Sequence, residues 1–220
     1  MSLNKSYIFT LTGLTISIGA SMLWLDRPVA LYFKTLDLTM PQLVAPFKII
    51  TDAGKSQWYL FPLAGYLALV IAMIRMKPND RPLWSARLAK AGFVFTSLAV
   101  SGLLADGIKI LLGRPRPVLL AQDIFNQFAP FTFDARWWSF PSGHSTSVMA
   151  LALAVSMLTP AWRWPFLVFA GIIMSSRIII AAHYPSDVMG GVAVAILVHC
   201  ALQKLFVRRG WNRWQNGSCP

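Results

Sequence analysis

The chain has 220 residues, with 20 Lys and Arg against 8 acids, all of them Asp, for a net charge of +12. Hydrophobic residues make up 56% and charged residues 13%, the latter about half the ~25% share of a soluble domain. That composition argues against a soluble enzyme and excludes a disordered chain. The basic excess is weak evidence for nucleic acid, because cationic loops are expected of a membrane protein for topology alone. Cys200 and Cys219 form no metal or redox spacing and require no disulfide.

In chain order, apolar runs near the ~20 residues that cross a bilayer predict six transmembrane helices. They are Tyr7–Leu25, Trp58–Met76, Leu88–Leu112, His144–Leu158, Trp164–Ala181 and Ser186–Val207. The fourth is short, so its first turn is placed as early as Ser142. The first is read as a span rather than a signal peptide: it is long for such a segment and no small-x-small cleavage site follows it. Asp26–Gln57 alternates apolar and basic residues around Pro28, Pro41 and Pro46, and is read as an outer connection holding an interfacial amphipathic helix. Gly54-Lys55-Ser56 resembles the end of a P-loop, but position 49 is Ile where that motif needs Gly. The second long connection, Gly113–Pro141, carries Phe125, Phe128, Phe131, Phe133, Trp137 and Trp138. It reads equally as an aromatic belt at the membrane surface or as a lid beside a site. The fold class is therefore all-α: one domain, residues 1–220, an integral membrane bundle of six transmembrane helices.

With the N-terminus in the cytoplasm, 11 of the 20 basic residues fall on that side: Lys5, Arg75, Lys77, Arg81, Arg87, Lys90, Arg163, Lys204, Arg208, Arg209 and Arg213. Lys109, Arg116 and Arg177 have a separate use. Setting them aside leaves 11 against 6, the bias of the positive-inside rule. Both termini are then cytoplasmic.

Charged groups near a span are costly and read as functional. Here Asp106, Lys109, Arg114 and Arg116 end the third span, and Ser142 and His144 start the fourth. Arg177 and His183 end the fifth, and Asp187 starts the sixth. In an up-down bundle these four ends share one face, the outer one. Three cations, Lys109, Arg116 and Arg177, fit a multiply charged anion. Pro141-Ser142-Gly143-His144 opens a helix whose free N–H groups favour phosphate, although such a run is equally a plain helix start. His183 and Asp187, four apart, allow a carboxylate to orient an imidazole, and His144 is left as a separate acid or base. Arg114 reads as a snorkelling surface residue. Asp106 reads as the partner of Lys109, one turn on. His199, about 18 Å down the last helix at 1.5 Å per residue, reads as a buried structural histidine.

Lys109-x6-Arg116-Pro117, Pro141-Ser142-Gly143-His144 and Ser176-Arg177-x5-His183-x3-Asp187 together resemble the three-part signature of the type 2 phosphatidic acid phosphatase superfamily. The resemblance covers about residues 88–207 and has no departure at a signature position. It implies a metal-independent phosphatase working through a phosphohistidine, without cofactor. In that reading His183 is the nucleophile, Asp187 orients it, and His144 protonates the leaving oxygen. Lys109, Arg116, Arg177, Ser142 and Gly143 hold the phosphoryl group. The family's range implies a lipid phosphate: an isoprenoid pyrophosphate such as undecaprenyl pyrophosphate, phosphatidic acid or phosphatidylglycerophosphate, with lipid A phosphates as the alternative. The family's soluble haloperoxidases fit this hydrophobic chain poorly. A bacterial inner membrane, with the site on the periplasmic face, is the implied location. No nucleic acid and no obligatory protein partner are implied. A non-catalytic lipid-phosphate binder or transporter needs only the cations, and a structural subunit needs none of the cluster; neither requires His183, Asp187 and His144.

Overall fold

Proline and glycine punctuate the apolar runs, and the helices break where they stand. The computed structural model describes residues 5–208 apart from 123 and 126, and among the described residues every regular element is helical. Arg209, Arg213 and Cys219 lie outside the described residues.

Helix α1 (Lys5–Ala20) runs through a π-helical stretch, Ser21–Leu25, directly into α2 (Asp26–Thr39). Helix α3 (Pro41–Ile50) and a 3₁₀ turn (Thr51–Gly54) lead to α4 (Gln57–Met76). Then follow α5 (Arg81–Leu112), α6 (Gly143–Leu158), α7 (Arg163–Ile179) and α8 (Pro185–Arg208). Pro41 and Pro82 sit in first turns, where a missing N–H costs no hydrogen bond. Helix α5 stops at Gly113, whose φ of +57° suits glycine. A Cβ there would lie 1.8 Å from the Ala129 carbonyl oxygen, so only glycine fits.

Helices form over all six stretches expected from the sequence. Among the described residues, four segments are long and apolar enough to cross a membrane: Ile8–Thr39, Pro41–Met76, Pro78–Leu120 and Pro185–Phe206. At 16 and 17 residues, α6 and α7 are shorter than the ~20 residues of an untilted span. The stretch 26–57 is not a loop holding one short helix. It is helical through α2 and α3, because its alternation also satisfies a helical period and its prolines fall where helices begin or tolerate them.

Helix α6 is the centre of the bundle and packs against α5, α7 and α8. Its inward residues are small: Ser145, Thr146, Ser147, Ala150, Ala152 and Ala154 are all buried. Small residues let helix backbones approach without a water-driven apolar effect. One close approach is at Gly191 of α8, where a Cβ would meet the Ser142 carbonyl oxygen at 2.7 Å. Lower in the bundle, Phe93, Ala154, Val198 and Leu202 form an apolar cluster. His199 is buried there, edge-on to Phe93 at 5.7 Å, the structural place expected for it. Outside, Phe9, Phe61, Leu103 and Trp164 are exposed. Such apolar faces suit lipid rather than water.

Candidate active site

Four helix ends and three connections meet at one end of the bundle. His183 lies in the turn between α7 and α8. The Arg177 carbonyl accepts the N–H groups of Ala182 (3.1 Å) and His183 (3.2 Å). Ala181 takes a left-handed φ of 49° to close that turn, a conformation that costs a non-glycine residue ~1–2 kcal/mol. Helix α8 then starts at Pro185. Asp187, in its first turn, reaches back so that its Oδ2 accepts the Tyr184 N–H at 2.8 Å. This is the backward-reaching half of a capping box, and it fixes the carboxylate four residues from the imidazole.

Asp187 is fully buried and heavily used. Its Oδ2 also accepts from the Ser139 hydroxyl (2.5 Å), and its Oδ1 from Arg114 Nη1 (2.6 Å). His183 Nδ1 stands 3.5 Å from Oδ2. That is beyond a made hydrogen bond, and Nδ1 has no other partner among the described residues. Burial pushes the His183 pKa down to about 4, and the carboxylate of Asp187 nearby opposes that only in part. The imidazole is therefore neutral at neutral pH.

Arg114 is not a surface residue. Its side chain is 4% exposed, and it bridges Asp187 to Asp26 at the start of α2, 2.7 Å from Nη2. It also donates to the Ser186 hydroxyl (2.6 Å) and lies over the Tyr184 ring at 4.5 Å. The sequence expectation failed because an Arg at a span end has water within reach unless some acid closes over it. Here that acid comes from 88 residues away. Asp26 itself accepts from Ser21 Oγ (2.7 Å) and from the Ser186 N–H (3.0 Å) and hydroxyl. The π-helical stretch spans the residues from Ser21 to the one before Asp26.

The other cations are differently placed. Lys109 Nζ bonds Asp106 Oδ1 at 2.6 Å, the pairing expected from their spacing. It also sits 3.0 Å from where a Cβ of Gly143 would be, against the first turn of α6. Ser142 caps that helix: its hydroxyl accepts weakly from the Ser145 N–H at 3.5 Å and from the Ser145 hydroxyl at 3.0 Å. The Ser142 N–H donates to the Asp187 carbonyl at 2.9 Å, so the α6 and α8 starts are tied together. Arg177 donates to Thr51 Oγ1 at 2.7 Å, and its Nε has no partner among the described residues. Among the described residues, the Arg116 side chain donates a long bond, 3.4 Å, to the Trp138 carbonyl. The charges of Arg116 and Arg177 bear on both His183 and His144, so these groups occupy one electrostatic neighbourhood. His144 Nε2 is buried and unpartnered among the described residues.

A cavity of about 270 Å³ opens beside His144 and Lys109, and Gly54, Lys55, Ser56 and Asp106 also line it. The Gly54-Lys55-Ser56 run is therefore not a P-loop but a wall of the site. Gly54 abuts His144: a Cβ there would meet the imidazole Cδ2 at 2.8 Å. In the aromatic connection, Phe125 packs edge-on against Tyr184 at 5.4 Å, whereas Phe128, Phe131 and Phe133 are exposed. All eight residues expected from the sequence lie at this end of the bundle, and Asp26, Arg114, Ser139, Thr51 and Lys55 join them. No group of three or more metal-ligating side chains occurs among the described residues.

Comparison with known proteins agrees. Residues 90–211 match the PAP2 superfamily. A lipid A 1-phosphatase of Rhizobium etli is 32% identical over 80% of this chain and 75% of its own length. An undecaprenyl-diphosphatase of Bacillus subtilis is 34% identical over 41% of this chain and 45% of its own length. The crystal structure of a transmembrane PAP2 type phosphatidylglycerolphosphate phosphatase from Bacillus subtilis aligns with a TM-score of 0.51 at 18% identity, covering 94% of this chain and 98% of that one. With its three motifs brought to one end of the bundle and more than half its length matched, the chain belongs to the PAP2 superfamily.

Proposed function

We propose that the protein is a membrane phosphatase that hydrolyses a lipid phosphate through a phosphohistidine at His183. The observation that carries this reading is the neutral His183 held beside buried Asp187, with Arg116 and Arg177 acting on it from the same end of the bundle. Nδ1 faces Asp187, which leaves Nε2 for phosphorus. Nε2 attacks, the bond from phosphorus to the leaving oxygen breaks, and His144 gives that oxygen its proton. The ring is then cationic, and its Nδ1–H points at Asp187. Water attacks the phosphohistidine with His144 taking the proton, and inorganic phosphate leaves. Lys109, Arg116, Arg177 and the Ser142-Gly143 helix start hold the equatorial oxygens, where the transition-state charge spreads. The whole chain acts as one domain and needs no metal: the three cations stand where a metal would otherwise serve, and the carboxylates Asp26, Asp187 and Asp106 are paired with Arg114 and Lys109 rather than gathered as the several oxygen ligands of a hard ion.

A lipid substrate is supported by a second cavity. It measures about 610 Å³ and is walled by Trp58, Leu63, Leu98, Leu151 and Phe166. Leu98 and Leu151 stand one helical turn along α5 and α6 from Gly102 and Ser147 of the polar cavity. A headgroup in the polar cavity thus has an apolar track for its chain on the same helices. A lipid A-type 1-phosphate is the leading substrate, because the relative with that activity matches along most of the chain. Undecaprenyl diphosphate is the second reading, supported over the shorter match. All six helices span a bacterial inner membrane in this reading. The α2–α3 segment lies at the outer interface, both termini are cytoplasmic, and the site faces outward.

Phosphate release from detergent-solubilised protein tests the reading. Wild type should release phosphate in EDTA, orthovanadate should inhibit, and His183→Ala should be inactive but folded. Residual turnover in His183→Ala, or loss in EDTA restored by Mg²⁺, overturns it. Comparing lipid A, undecaprenyl diphosphate and phosphatidylglycerophosphate as substrates ranks the headgroups. For orientation, a Cys at Gln127 should react with an impermeant maleimide in spheroplasts, and a Cys at Asn79 should not.

A further inference from the structure

The buried cluster behind His183 carries an uneven charge count. Asp26 and Asp187 are both wholly buried, and Arg114, 3% exposed, bonds them both. The guanidinium gives Nη1 to Asp187 and Nη2 to Asp26, both at 2.6–2.7 Å. If Asp26 were neutral, Arg114 would neutralise Asp187. Asp187 would then have little charge left for an imidazole 3.5 Å away. With Asp26 ionised, the trio carries a net −1 directly behind Nδ1. Asp26 accepts hydrogen bonds from Ser21, Ser186 and Arg114. It also sits at the α8 N-terminus, where helix polarity favours an anion.

We propose that Asp26 is a positioning residue of the reaction: it takes up the charge of Arg114, so that the charge of Asp187 is free to stabilise the cationic ring formed when His183 Nε2 bonds to phosphorus. The inference rests on His183 being the nucleophile. Asp26 touches neither substrate nor His183; it acts through Arg114 and Asp187. In low dielectric a charge at this range acts strongly on a developing cation. The role is electrostatic, not merely structural, and charge-matched variants separate the two.

The experiment measures kcat, KM and thermal midpoint of the solubilised full chain, with the lipid phosphate that wild type turns over fastest. Asp26→Asn keeps the size and most acceptors but loses the charge. Its kcat should fall about tenfold or more, with KM within about twofold, as for loss of an interaction made only in the transition state. The double variant Asp26→Asn with Arg114→Gln restores the net −1 and should recover kcat toward wild type. A purely structural role predicts that the double variant is worse than the single. Ser21→Ala removes one hydrogen bond to Asp26 and no charge, so it should leave kcat within about twofold. Wild-type kcat in Asp26→Asn, a double variant no faster than Asp26→Asn, or an equal loss in Ser21→Ala overturns the proposal. If Asp26→Asn does not fold, the double variant decides: activity within about tenfold of wild type supports the proposal, and inactivity in a folded sample overturns it. Activity in His183→Ala would sink the nucleophile assignment and this inference together. An inactive His183→Ala beside an unaffected Asp26→Asn would sink the inference alone.

Discussion

Arg114 and Arg116 are two residues apart in one Arg-Pro-Arg-Pro run, yet they are opposite kinds of arginine. Arg114 is closed over by two carboxylates, a serine and a tyrosine ring. Arg116 is part-buried and, among the described residues, makes one long bond to a carbonyl. A compensated arginine binds the protein to itself; an arginine without a carboxylate is available for an anion. Backbone bonds clamp the run. Arg116 N–H donates to the Arg136 carbonyl at 2.8 Å, and the Arg114 carbonyl accepts from the Ser139 N–H at 3.1 Å.

Mutation can break this contrast. Arg114→Ala leaves two buried carboxylates without their cation, and removal of one member of such a buried set costs ~3–5 kcal/mol. Folded protein should be largely lost, read as detergent-resistant monodisperse yield and thermal midpoint. Arg116→Ala should lower kcat/KM by about 10²–10³ while the thermal midpoint stays near wild type. If the two variants exchanged behaviours, the division between them would be wrong.

A backbone change should disturb both arginines at once. Gly113→Ala places a Cβ against the Ala129 carbonyl at a left-handed φ; the φ alone costs ~1–2 kcal/mol, and the overlap adds to it. Both the midpoint and kcat/KM should fall, whereas Gly92→Ala, with open space at its Cβ, should change neither.

The smallest expected effect is a pH dependence. His183 is held at about 4 by burial, against 6.5 when free. The unfolded chain therefore takes up a proton first as pH falls. Stability contributed by the neutral ring is complete above about pH 6.5 and is lost progressively toward pH 4. The wild-type midpoint should drop more between pH 7 and 5 than that of His183→Gln, and equal drops would contradict the buried neutral imidazole.

The helices were legible because long apolar runs leave the backbone no other way to satisfy itself in lipid. The common position of the eight residues was legible because alternating spans bring those four helix ends to one end of a bundle. Asp26 was not legible: one Asp beside Arg27 and Pro28 reads as the edge of a connection. Only the π-helical stretch and the contact of α1 and α2 with α8 carry it to Ser186. Arg114 was misread for the same reason, since its burial depends on Asp26. Lys55 was set aside on a motif mismatch, although the fold brings it to the site by a route that no local spacing encodes.

Three residues that touch the site's machinery, Asp26, Thr51 and Gly54, precede the segment 90–211 that matches the superfamily. The catalytic signature is therefore not a portable cassette. A fragment beginning near residue 88 would keep every signature residue yet leave Arg114 with one carboxylate and Arg177 without its threonine. Chimeras that graft this signature onto another protein's first helices should work only where the donor supplies an acid at the position of Asp26. In this chain the N-terminal helices and the motifs therefore form one structural unit.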